Sequence, residues 1–217
     1  MTSSTPLYRH WLALGAIVSL GLGFAIHANP LSAQTESDGI DTFTTGTNAL
    51  VGKPLADWGD LRFLDAPTAR TARDFRGHVM VIRFWMAACP RCRASAATLS
   101  DWARRYQGQG LEVVAILLPK KERPVPSDPR VRSIAEDMGW DATLAVDDDN
   151  WSALGRVWAG SGPRYAVSVG LLVDRDGIVR AVHHGGYFSE TDPRGRAETR
   201  SFRRALEQVL AEQDNRL

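Results

Sequence analysis

The two cysteines of the chain stand three positions apart, as Cys89-Pro90-Arg91-Cys92. Thiols at that spacing can exchange disulfides with another molecule, hold a soft metal ion, or form a static bridge. The static bridge is the poorest use, because so short a loop gains little from closure. A cysteine at a helix start faces unpaired backbone N–H groups and the positive end of the helix dipole, and both favour a thiolate. Pro90 suits the first helical turn, where its missing N–H is not needed. Arg91 and Arg93 add positive charge, which is expected to lower the Cys89 pKa. In that chemistry the Cys89 thiolate attacks a substrate disulfide, a mixed disulfide forms, and Cys92 resolves it.

The flanking sequence supplies the elements such a site needs. Val79-Met-Val-Ile-Arg-Phe-Trp85 is an almost continuous apolar run, which predicts a strand buried on both faces. Arg91 to Tyr106 has helical spacing, with Ala94, Leu99, Trp102 and Tyr106 expected on one face and Gly108 and Gly110 as the stop. Leu111 to Leu118 is the next apolar strand, completing a strand–helix–strand crossover. Leu61 to Leu64 is a short strand candidate, and Thr71 to Phe75 a turn or short helix.

The proline-rich stretch from Pro119 to Pro129 reads as a surface insertion. A helix over Val131–Met138 and a strand over Thr143–Val146 follow. Asp147 to Asn150 reads as a solvated turn that caps a helix from about Trp151 to Trp158. Val167–Val173 and Ile178–His183 flank Arg175-Asp176-Gly177, a hairpin signal. A last helix over about Ala197–Gln213 puts Phe202, Leu206, Val209 and Leu210 on one face. The sum is an α/β protein with a mixed central sheet flanked by helices.

A formal charge of +1 on 217 residues argues against a nucleic-acid partner, and 44% hydrophobic residues exclude wholesale disorder. Two cysteines rule out a disulfide scaffold and a four-cysteine zinc site. From Trp11 to Ala28 the chain carries no charge, after a start whose one firm positive charge is Arg9. Residues 1–33 therefore read as a signal peptide or N-terminal membrane anchor, with cleavage sites possible after Ala28 or Ala33. Residues 34–50 read as a flexible tether, and residues 51–213 as the folded domain. The expected location is the periplasmic or extracytoplasmic face of the inner membrane, where protein disulfides form and are managed.

The stretch VMVIRFWMAACPRC resembles the active-site segment of the TlpA/ResA-like membrane-tethered thioredoxins, in which a strand leads into Phe-Trp-Ala-x-Trp-Cys-Pro-x-Cys. Phe84, Trp85, Ala87, Cys89, Pro90 and Cys92 match, and Ala88 stands where the family has Trp. GKPLADWGDLRFLD and FRGHVMV resemble the family's leading hairpin and its Leu-x-Gly-Lys-x-Val segment, and Leu172-Val-Asp-Arg-Asp-Gly177 its Leu-Ile-Asp-x-Asp-Gly turn. The resemblance spans about Val51 to Tyr187. It implies a thioredoxin-like fold with an N-terminal hairpin extension, and thiol–disulfide exchange centred on Cys89 and Cys92. Protein disulfides would be the substrates, apocytochromes c or copper-site assembly proteins among them. A membrane electron donor of the thiol-transducer type would supply the electrons. Trp85 would shield the site, with Pro90 and Arg91 supporting it.

Two positions depart from that family. It carries a cis-proline six residues before the Asp of the turn, where this chain has Ser168, so a trans peptide or a reshaped loop is expected there. Lys120 stands about where some members place a Glu, so a cation rather than a carboxylate would face the thiols. Two other readings use the same cysteines. One is a copper-binding chaperone, with His183 or His184 joining Cys89 and Cys92, since thiolates with an imidazole suit Cu(I). The other is a peroxidase, but Ile82 and Met86 stand where those enzymes carry Pro and Thr.

Overall fold

The computed structural model describes residues 48–66, 70–120, 124–159 and 168–212. The expected signal or anchor and nearly all of the tether lie outside them, and among the described residues no helix is long and apolar enough to cross a membrane. The strands are β1 (Arg62–Phe63), β2 (Val79–Trp85), β3 (Leu111–Leu117), β4 (Thr143–Val146), β5 (Gly170–Val173) and β6 (Val179–His183). The helices are α1 (Pro90–Tyr106), α2 (Asp128–Met138), α3 (Ser152–Val157) and α4 (Arg196–Ala211).

Strand β2 lies inside the sheet because all seven of its residues are buried. The six strands run in the order β1-β4-β3-β2-β5-β6. Strands β2, β3 and β4 are parallel, while β1, β5 and β6 pair antiparallel with their neighbours, so the sheet is mixed as expected. Alternation along β2 divides the core in two. Val79, Val81 and Trp85 pack with α1, α2 and α4, while Met80, Ile82 and Phe84 pack with α3 and the segment around Trp58 and Phe75.

The β5–β6 hairpin forms at the expected turn. Gly177 takes φ +76°, and the Asp174 carboxylate accepts from the backbone N–H groups of Asp176 and Ile178 at 3.0 and 2.9 Å.

Several boundaries and faces differ from the sequence reading. Among the described residues the leading segment does not pair with itself: Pro54 makes a single bridge to Ile178 at one edge of the sheet, and Arg62–Phe63 pair with β4 at the other. Proline lacks the N–H that a longer ladder would need. Helix α2 begins at Asp128 rather than Val131, with Pro129 in its first turn. Helix α1 buries Cys92, Ala96, Leu99, Trp102 and Tyr106, while Ala94 stays half-buried.

The acidic turn before α3 is not solvated throughout. Asp147 is 1% exposed and accepts from the Ala153 N–H at 2.9 Å, so it caps α3 from inside the core. Burial raises its pKa above the usual carboxylate value. Asp147→Ala removes this cap from a buried helix start and leaves an N–H without its acceptor. The expected loss is about 1–2 kcal/mol of stability, read as a lower urea midpoint with unchanged slope.

Candidate active site

The site lies where β2 gives way to α1. Cys89 is the N-cap of α1, with extended backbone angles, and its Sγ accepts from the Cys92 N–H at 3.3 Å. Pro90 opens the helix. Both thiols are free. Cys89 is partly exposed, whereas Cys92 is 0% exposed, packed in the core with Trp85, Ala96 and Phe188. The helix start thus leaves Cys89 partly exposed and Cys92 buried, as attack and resolution require. Burial pushes the Cys92 thiol up from its ordinary value of 9.0 to about 12.

The structure places the other named residues as follows. Trp85 is fully buried, its ring 5.9 Å from that of Trp140, so it floors the site from within rather than covering it. Arg91 is exposed and lies over the Tyr187 ring at 5.9 Å, while Arg93 donates to the Asp137 carbonyl. Ser168 is 3% exposed and donates to the Gly185 carbonyl at 2.6 Å, tying the approach to β5 to the exit of β6. Among the described residues no peptide is cis, and the bond before Ser168 joins it to a residue outside that set. Lys120 is exposed and lines a surface cavity of about 140 Å³ with Val125, Asp148 and Trp151. Among the described residues, the cation that acts on Cys92 is Arg83 rather than Lys120, and burial outweighs it.

Arg83 is the residue that sequence reasoning passed over. It sits in the middle of β2, 0% exposed, on the same face as Val81 and Trp85. Its Nη2 donates to Ser95 Oγ at 2.8 Å and to the Gly186 carbonyl at 3.3 Å, and its Nη1 lies 3.3 Å from His183 Nδ1. The guanidinium also lies over the Phe188 ring at 5.4 Å. Burial pulls its pKa down to about 10, which leaves it charged at neutral pH. The available signal was a lone arginine inside an apolar run, since a buried strand carries a charge only where partners await it.

His183 and His184 point different ways, as adjacent strand residues must. His183 is 0% exposed, and burial together with Arg83 holds its pKa well below the ordinary value, so it is neutral. Arg83 can only donate, so His183 Nδ1 accepts and the ring proton sits on Nε2, which faces Glu198 Oε2 at 3.6 Å. The same carboxylate accepts from the His184 backbone N–H at 2.8 Å. The His183 lone pair is therefore turned to a guanidinium and not to the sulfurs. Among the described residues no group of three or more His, Cys, Asp or Glu side chains converges as a metal site. Ile82 is fully buried in β2 and Met86 packs beside it, so neither offers the polar support a peroxide would need.

Strand, Cys-Pro-Arg-Cys turn and helix on a mixed sheet define a redoxin: a thioredoxin-like fold carrying a vicinal dithiol at a helix start. Residues 63–182, more than half of the sequence, match the AhpC/TSA family, and the chain belongs to that family. It is 26% identical over 178 residues to the protein DipZ of Mycobacterium tuberculosis and of Mycobacterium bovis. That match covers 82% of this chain but 23% of those proteins, so the chain spans under a quarter of the length of the curated relatives it matches. Two solved structures share the fold. One is a putative thiol:disulfide interchange protein DsbE from Chlorobium tepidum, with a TM-score of 0.57, 20% identity, and coverage of 74% of this chain and 97% of that one. The other is an uncharacterized conserved protein from Geobacillus kaustophilus, with a TM-score of 0.59, 20% identity, and coverage of 75% and 82%.

The asymmetry of the two sulfurs gives two expectations. A short iodoacetamide pulse at neutral pH should label Cys89 and leave Cys92 unmodified, as read by peptide mass spectrometry. The Cys92 pKa is raised on folding, so its contribution to stability is present below the ordinary thiol value of 9.0 and is lost as pH rises towards about 12. The urea midpoint of the reduced protein should therefore fall more steeply above about pH 9 than that of a Cys92→Ala variant.

Proposed function

We propose that this protein is an extracytoplasmic thiol–disulfide oxidoreductase that reduces disulfides in other proteins. The observation that carries the reading is the N-cap geometry: a partly exposed Cys89 whose sulfur accepts from the Cys92 N–H, with the second thiol buried one turn on. The family, the fold shared with a putative thiol:disulfide interchange protein and the likeness to DipZ support it.

The reaction runs through two exchanges. The Cys89 thiolate attacks one sulfur of a substrate disulfide, forming a mixed disulfide and expelling a thiolate that takes up a proton. The Cys92 thiol then gives up its proton, and its thiolate attacks Cys89 Sγ. A Cys89–Cys92 bond forms, the bond to the substrate breaks, and the substrate's second sulfur leaves with the electron pair. Two electrons have passed from the dithiol to the substrate, and a membrane electron donor of the thiol-transducer type restores the dithiol. Apocytochromes c before haem attachment and copper-site assembly proteins are the candidate substrates. The uncharged run from Trp11 to Ala28 supports export or tethering on the extracytoplasmic face.

Cys89→Ser should abolish reduction of insulin disulfides. Cys92→Ser should instead trap mixed disulfides that a non-reducing gel resolves and a reductant releases. Full insulin reduction by Cys89→Ser would overturn the assignment.

A further inference from the structure

The exchange just described needs a proton to leave Cys92, yet that sulfur is 0% exposed. Among the described groups, those bearing on it electrostatically are Cys89 and Arg83. Arg83 shares its sheet face with Trp85 and the Cys92 cluster, and its bond to Ser95 Oγ at 2.8 Å reaches α1 three residues beyond Cys92, on the same helix face. Ser95 in turn donates to the Arg91 carbonyl at 2.8 Å, fixing the guanidinium against the first turn of α1.

The register of the sheet brings Arg83 and His183 to either side of one residue. Gly170 of β5 pairs with Arg83 on one side and with His183 on the other. A Cβ at Gly170 would lie 3.5 Å from Arg83 Nη1 and 3.4 Å from the His183 Cβ, in ordinary van der Waals contact, so the arginine reaches the histidine directly over this position.

We propose that the buried guanidinium of Arg83, fixed by Ser95, His183 and Gly186, is the counter-charge for the dithiol and promotes release of the Cys92 proton in the resolving step. Arg83 acts through the cysteine and is a positioning residue. The proton passes to solvent or to the departing thiolate. The sulfur left on Cys92 attacks Cys89 with the fixed cation opposing the cost of a buried negative charge.

Among the described residues, the other charges around the pair leave this role to Arg83. On α1, Arg91 and Arg93 are exposed and engaged with Tyr187 and Asp137. On β6, His183 is neutral and accepts from Arg83, and burial also lowers the His184 pKa. On α4, Glu198 faces the far nitrogen of His183, and beyond β3 Lys120 is exposed.

This inference rests on the thiol-exchange reading, and one experiment separates the two. The reduced full-length protein is mixed with 5,5′-dithiobis(2-nitrobenzoate), which releases one nitrothiobenzoate when Cys89 attacks and a second when Cys92 resolves. A wild type that shows no second release overturns the exchange reading itself. Where the wild type resolves, Arg83→Met should slow the second release at least about tenfold at neutral pH and displace its pH profile upward by roughly one unit. A folded Arg83→Met protein with the wild-type rate and profile overturns the proposal.

Should Arg83→Met fail to fold, Arg83→Lys is read in its place. Burial lowers the pKa of an ammonium far more than that of a guanidinium, so its help should vanish as it deprotonates. The alkaline limb of the resolution rate should then fall at least about fivefold below the wild type, a loss that packing alone does not make pH-dependent. An unchanged alkaline limb overturns the proposal.

Discussion

Seven consecutive residues of β2 are shut off from solvent, and one of them is Arg83. A buried charge without partners costs several kcal/mol, and the side chains around this one are arranged to answer it. Ser95 comes from α1, His183 from β6, the Gly186 carbonyl and the Phe188 ring from the chain beyond β6. Glu198 of α4 stands behind His183. A single guanidinium thereby joins the sheet to the active-site helix and, through His183, to the C-terminal helix.

That constraint and the dithiol share one face of the sheet. Cys92 is buried because the first turn of α1 packs onto β2, and Arg83 is buried because it lies in β2. The same packing that raises the Cys92 pKa brings a cation to bear on it. Cys89 escapes this environment because an N-cap residue stands half outside the helix it opens. One short motif thus holds two thiols in different surroundings.

Much of the arrangement was legible because it is local. Apolar runs mark β2 and β3, Asp-Gly marks the β5–β6 turn, and Cys-Pro at a strand end marks the start of α1. The helix face of Phe202, Leu206, Val209 and Leu210 is likewise a matter of spacing and is buried as expected. Misreadings fell where tertiary contacts override a local rule. The acidic run at Asp147 reads as solvent-facing by composition, yet the fold turns its first carboxylate inward to cap α3. GKPLADWGDLRFLD reads as a hairpin, but its two ends serve opposite edges of the sheet. Arg91 and Arg93, adjacent to Cys92 in sequence, are exposed and engage Tyr187 and Asp137, while the charge that acts on the thiol comes from a different element.

Sequence by itself determined the class of chemistry, since two cysteines at one spacing after a buried strand leave few uses for them. It also determined the order of strands and helices, because hydrophobic period is a property of neighbours along the chain. Only the tertiary structure decided which sulfur is exposed, which histidine is buried and neutral, and which arginine is the counter-charge. Those depend on a row across three strands, Arg83, Gly170 and His183, whose members are separated by scores of residues. Burial and Coulomb interaction act through space, and the residues that set the electrostatics of the dithiol become neighbours only when the sheet forms.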